Sequence, residues 1–119
     1  MSFKIALNKI YMTKGDTARF NISLDDIFEK EQPYELSEKD EVYFIVTHTP
    51  KILSVDNLDS NPSCIFYKKG ISIKIDPVDT EHLSEGIYYY QVRVILGESG
   101  DLNTIIEPEE FYLTPVTGW

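Results

Sequence analysis

The chain has 119 residues, 42% of them hydrophobic and 13% aromatic, a composition that suits one folded domain and excludes a disordered chain. Its 20 acidic against 11 basic residues give a formal charge of −9, a field that repels phosphate backbones and anionic lipid head groups, so neither nucleic acid nor a membrane surface is expected as a partner. Cys64 is the only cysteine, which excludes an internal disulfide and a cysteine-rich metal cluster.

Along the chain the main signal is period two, because alternate side chains of a strand face opposite sides of a sheet. Lys4, Asn8 and Lys9 interrupt the first apolar run. The expectation is therefore a strand over Phe3 to Met12, with no signal peptide or membrane span, in a protein made in the cytoplasm. Lys14-Gly15-Asp16 reads as a hairpin turn before an adhesion tripeptide. Thr17 to Leu24 alternates cleanly, with Ala18, Phe20, Ile22 and Leu24 on one face. Asn21-Ile22-Ser23 within it is a formal glycosylation acceptor read as chance. Asp25 to Glu31 has room for only a helical turn or two.

Glu41 to His48 is apolar on both faces, through Val42, Phe44 and Val46 on one and Tyr43 and Ile45 on the other, which predicts a strand covered on each side. A weaker strand is expected at Cys64 to Tyr67, while Ile71, Ile73 and Ile75 repeat the alternation of Thr17 to Leu24. Asp79 to Leu83 has the length of a helical turn. Ile87 to Leu96 is the longest strand, with Tyr88, Tyr90, Val92, Val94 and Leu96 on one side and Gln91 and Arg93 on the other. Leu102 to Ile106 and Glu109 to Thr114 follow, separated by Pro108. About seven or eight short strands, punctuated by glycine, proline and asparagine, predict an all-β fold: a two-layer antiparallel β-sandwich forming one domain.

Leu83-Ser84-Glu85-Gly86-Ile87-Tyr88 leads into the longest strand and resembles the tyrosine corner of immunoglobulin-like domains, whose hydroxyl bonds back to upstream backbone. Tyr88 is the corner tyrosine on this reading, with Gly86 and Leu83 shaping the turn. The plainer alternative is a tyrosine that starts a strand after a glycine turn.

A nucleophilic site needs a base beside Ser, Thr or Cys and a third group that orients the base. His48, at a strand end, and His82, in an acidic turn, both have plainer roles. Cys64 among Ile65, Phe66 and Tyr67 reads as a core thiol. Asp25, Asp26, Glu29, Glu31, Glu35, Glu38, Asp40 and Glu41 are rich in carboxylates, as are Glu107, Glu109 and Glu110, yet acid and base work needs them held across a cleft; concentrated in loops they read as solvated faces. Asp56-Asn57-Leu58-Asp59-Ser60-Asn61 departs from the helix-loop-helix calcium pattern at Leu58, Asn61 and Tyr67, leaving only an irregular site open. No zinc, phosphate-loop or dinucleotide motif occurs. The expectation is a protein without catalytic residues, metal or cofactor.

Three segments in order carry a resemblance: Lys14 to Ile22 with its Gly15-Asp16-Thr17, then Tyr34-Glu35-Leu36 leading to Val42-Tyr43-Phe44-Ile45-Val46, then Asp79 through Val94. Together they resemble the N-terminal domain of phage baseplate upper proteins and its relatives among small prophage tail and virion proteins. The stretch from Asp25 to Gln32 departs from that pattern by lacking a glycine after the aspartates. The resemblance spans nearly the whole chain and implies a virion structural domain, with other phage structural proteins and further copies of itself as partners and no active site to carry over. On that reading, assembly would use exposed edge strands, whose unpaired backbone groups can bond a neighbour. The candidate edges are Phe3 to Met12 and Glu109 to Trp119, with Phe3, Ile5, Leu7, Phe111, Leu113 and Trp119 as contact residues. The competing expectation is a module that binds a ligand or glycan by stacking sugar rings on Tyr11, Tyr34, Tyr67, Tyr89 and Trp119. Hydrolysis by loop carboxylates stands third.

Overall fold

A computed structural model describes residues 3–6, 9–22, 39–97, 100 and 102–115. Among these the protein is all-β: β1 (Phe3–Ala6), β2 (Lys9–Thr13), β3 (Ala18–Asn21), β4 (Glu41–Thr47), β5 (Cys64–Lys69), β6 (Ser72–Ile75), β7 (Gly86–Ile95) and β8 (Leu102–Thr114). A 3-10 turn at Val55–Asn57 and the single-turn helix α1 (Pro77–Thr80) complete it. Strands β1-β2-β8-β7-β4-β5 form one sheet in that order, and β3-β6 form a second.

Alternation decides which side chains turn inward. From the larger sheet Ile10, Met12, Val42, Phe44, Val46, Tyr90, Val92, Val94, Phe111 and Leu113 meet Ala18, Ile22, Ile73 and Ile75, contributed by β3, β6 and the residue after β3, in one buried cluster. Phe44 lies at its centre, edge-on to Phe20 at 5.2 Å and tilted against Tyr90 at 5.6 Å between ring centroids. Each such side chain stabilises the fold by roughly 1.5–3 kcal/mol through burial. The other face of β4 is covered too, as its apolar run requires: Tyr43 and Ile45 pack beneath Leu53 and Leu58 of the β4–β5 connection.

Several sequence expectations need correction. The larger sheet is mixed, since β2 runs parallel to β8 with Ile10 opposite Phe111 and Thr13 opposite Thr114. A hairpin forces its two strands antiparallel, but β2 and β8 are joined by no hairpin and are free to meet in parallel. Phe3 to Met12 is a hairpin of β1 and β2, not one strand. Pro108 does not divide the C-terminal segment, because β8 runs through it. Opposite β7, the pairs Tyr90↔Glu109, Val92↔Ile106 and Arg93↔Thr104 show β8 spending surplus residues, and a proline is tolerated in such a bulged stretch because no regular ladder bond is lost there. Ile71 is exposed at the turn before β6 and does not share the burial of Ile73 and Ile75. The Lys14-Gly15-Asp16 turn, with Gly15 at φ +82°, connects β2 to β3 in the other sheet, so it is a crossing between sheets and not a hairpin.

The edge assignment also changes. β8 lies between β2 and β7, and Phe111 and Leu113 are 1% and 2% exposed, so both belong to the core and not to a free edge. The outermost strands of the larger sheet are β1, which carries Phe3 and Ile5, and β5. Leu7, Trp119, Tyr34 and the stretch 25–32 lie outside the described residues.

Candidate interaction face

With Ile10, Met12, Phe111 and Leu113 pointing inward, their neighbours Lys9, Tyr11, Glu110 and Tyr112 must point outward. Register then aligns them: Tyr11 lies opposite Tyr112, and Tyr112 opposite Ile87 of β7. The next rung pairs Glu110 with Tyr89. Tyr11 and Tyr112 stack with ring centroids 4.7 Å apart and planes 6° from parallel. Lys9 Nζ sits 3.2 Å from Glu110 Oε1, and the Tyr112 hydroxyl donates to Glu110 Oε2.

This network fixes protonation as well as position. The hydrogen bond from Tyr112, then the contact with Lys9, holds the Glu110 carboxyl below the usual carboxylate range. In return the Tyr112 hydroxyl and the Lys9 ammonium are pushed up, each chiefly by its hydrogen bond to Glu110. Ile87 is 52% exposed beside this row. The result is an aromatic face whose one acid and one base cancel, on a chain of net charge −9. Its side chains are already held by one another, which lowers the ordering cost of any contact made there.

The turn before β7 holds the three residues singled out for a tyrosine corner. Leu83 packs half-buried against the main core, Gly86 begins β7 at φ +149°, a value disfavoured for other residues, and the Tyr88 hydroxyl donates to the Ser84 carbonyl at 2.6 Å. The Tyr88 ring also lies 5.9 Å from that of His48. α1 supports this corner from below: Pro77 opens it, Asp79 Oδ2 accepts from the Asp76 amide at 2.8 Å, and buried Thr80 takes the Gly15 amide at 2.9 Å.

Several other chemically able side chains are held by structural contacts. His82 Nδ1 donates to the Val78 carbonyl at 3.2 Å. Asp59 accepts from the Tyr67 hydroxyl at 3.0 Å. Glu41 accepts from Tyr43 at 2.9 Å and lies 3.5 Å from Lys69, whose ammonium stands over the Tyr43 ring. Asp40 takes the Gly97 amide at 2.8 Å. Cys64 is half-buried against the smaller core, and burial pushes its thiol up, away from the reactive thiolate. It lines an open depression of about 320 Å³ with Leu58, Asp59, Ile65, Phe66 and Tyr67. Among the described residues no three His, Cys, Asp or Glu side chains converge on a point, and no helix is long and apolar enough to cross a membrane.

Sequence reasoning named Tyr11 and Tyr89 but missed Tyr112, Ile87 and Glu110 as their neighbours. The β2–β8 and β7–β8 registers bring them together, and no local pattern encodes either. Comparison with family models, curated proteins and solved structures finds no match to this chain.

Proposed function

We propose that this protein is a non-enzymatic structural component of a phage or prophage particle: an immunoglobulin-like, two-layer β-sandwich that assembles into a tail, baseplate or head-accessory complex by protein–protein contact. It is made in the host cytoplasm, carried in the virion, and associates with other structural proteins and with copies of itself. The immunoglobulin-like assignment draws support from the parallel β2–β8 pair at one side of the β7-β4-β5 array, from the β3-β6 pair sharing its core, and from the Tyr88 bond to Ser84.

The observation that carries the assembly reading is the outward row Tyr11, Tyr112 and Ile87. Its aromatic, charge-balanced and pre-ordered side chains match what the centres of protein interfaces use, while a field of −9 elsewhere keeps the chain soluble and selective. It replaces the C-terminal edge as the proposed contact surface. Mass spectrometry of particles purified after prophage induction tests the reading: peptides covering Gly86 to Arg93 at stoichiometric levels are expected, and particles that form normally without the protein would refute a virion role.

A second reading is favoured by one feature of the same face. Two tyrosines stacked in parallel beside a carboxylate also suit a sugar ring, which packs on an aromatic face and bonds to acids. A glycan array screened with the protein gives signal only on that reading.

A further inference from the structure

The connection between β4 and β5 leaves the sheet where the β4–β5 register shifts between Val46 and Thr47, and Thr47 Oγ1 donates to the Thr49 carbonyl at 2.7 Å to start it outward. Residues 49–62 then lie across the outer face of β4 and β7. Among the described residues their backbone hydrogen bonds stay local, as in Lys51 N to Thr49 O at 2.8 Å and Cys64 N to Asn61 O at 3.1 Å. What fastens the segment to the sheet is a short set of side chains.

Gln91 is the principal one. It is fully buried, its Oε1 accepts from the Leu53 amide at 3.0 Å, and its Nε2 donates to the Lys51 carbonyl at 2.7 Å. Arg93 donates to the Leu53 carbonyl, and Tyr67 holds Asp59. Only Leu53 and Leu58 of the segment are buried hydrophobics, and they belong to the smaller cluster, which is separate from the core between the sheets. Ile52, between the two Gln91 contacts, is 51% exposed. Arg93 also carries a penalty, because its Nε is buried with no hydrogen-bond partner and regains water when the segment lifts.

We infer that residues 49–62 form a strap that opens as one unit while both sheets stay folded, and that Gln91 is its latch. The main core loses nothing on opening, so the free energy of this motion lies well below that of global unfolding. Opening bares Tyr43 and Ile45 on β4 beside Tyr89, which extends the outward aromatic surface across the sheet. The inference stands whether or not the protein enters a particle.

Native-state hydrogen exchange on the full chain, followed residue by residue by NMR across low urea concentrations, tests it. The Leu53 and Cys64 amides, one bonded to Gln91 and one to Asn61, are expected to exchange together and with little urea dependence, far faster than the amides of Phe44 and Val92. Gln91→Ala should raise exchange at Cys64 by about tenfold or more, although Cys64 does not touch Gln91, because the hydrogen bonds lost are buried ones. Leu58→Ala, which removes an anchor on the strap itself, should do the same if Gln91→Ala proves too unstable to study. Exchange of Cys64 only through global unfolding, or a Cys64 rate indifferent to both substitutions, would overturn the inference.

Discussion

Leu113 and Tyr112 are adjacent in sequence and on opposite faces of β8, so truncating each to alanine separates the core from the proposed interaction face. Leu113 is 2% exposed between the sheets. Its loss removes buried methyl groups and leaves a cavity, which costs about 2–5 kcal/mol. Tyr112 loses its stacked partnership with Tyr11, worth about 0.5–1.5 kcal/mol, and a hydrogen bond to Glu110 whose groups are already solvated. A domain of this kind has about 5–15 kcal/mol in total, so Leu113→Ala consumes a large part of the margin and Tyr112→Ala does not. With a urea dependence of about 1–3 kcal/mol per molar, Leu113→Ala should lower the midpoint by about 1–2 M, and Tyr112→Ala by about half a molar. Urea titrations followed by far-ultraviolet circular dichroism measure both. On the proposed virion role, particle incorporation is expected to fail for Tyr112→Ala in a protein that remains folded. Equal destabilisation by the two substitutions would refute the assignment of faces on which the interaction surface rests. The same placement means that removing 113–119 would damage the fold itself, contrary to what a free C-terminal edge would allow.

Tyr88→Phe should cost about 0.5–1.5 kcal/mol in the same titration, the value of the hydroxyl bond to Ser84. Gly97→Ala should cost about 1–3 kcal/mol, because an added Cβ runs into the backbone of Lys39, which cannot swing aside as a side chain would. Burial, aided by Glu109, pushes the Tyr90 hydroxyl up to about 12. The folded state therefore holds that proton where the unfolded chain has released it, so stability should fall as pH rises from 10 towards 12; Tyr90→Phe should flatten that decline in thermal melts over the range.

The strands whose partners are near in sequence or whose faces differ in polarity could be read directly. Ala18, Phe20 and Ile22 announce their inward face, and the doubly apolar β4 announces cover on both sides. What the residues did not announce was pairing over distance. Nothing local distinguishes β2 lying parallel to β8 from β2 at a free edge, so from residues alone Phe111 and Leu113 read as an edge and Tyr112 carries no signal. Gln91 shows the same limit from the opposite side. A glutamine at an outward position looks solvated, and only the folded chain brings Lys51 and Leu53, 40 and 38 residues away, over its amide.

The parallel meeting of β2 and β8 sets a timetable for synthesis. Thr114 bonds to Met12 across 102 residues, so the β1–β2 pair has no neighbour on that side until β8 has been made. At about 5–20 residues per second this leaves it waiting for roughly 5–20 s, with closure-dependent contacts forming last. Nascent chains halted before residue 111 should therefore keep Ile10 and Met12 exposed to chaperones, and release of β8 should withdraw them in a single step.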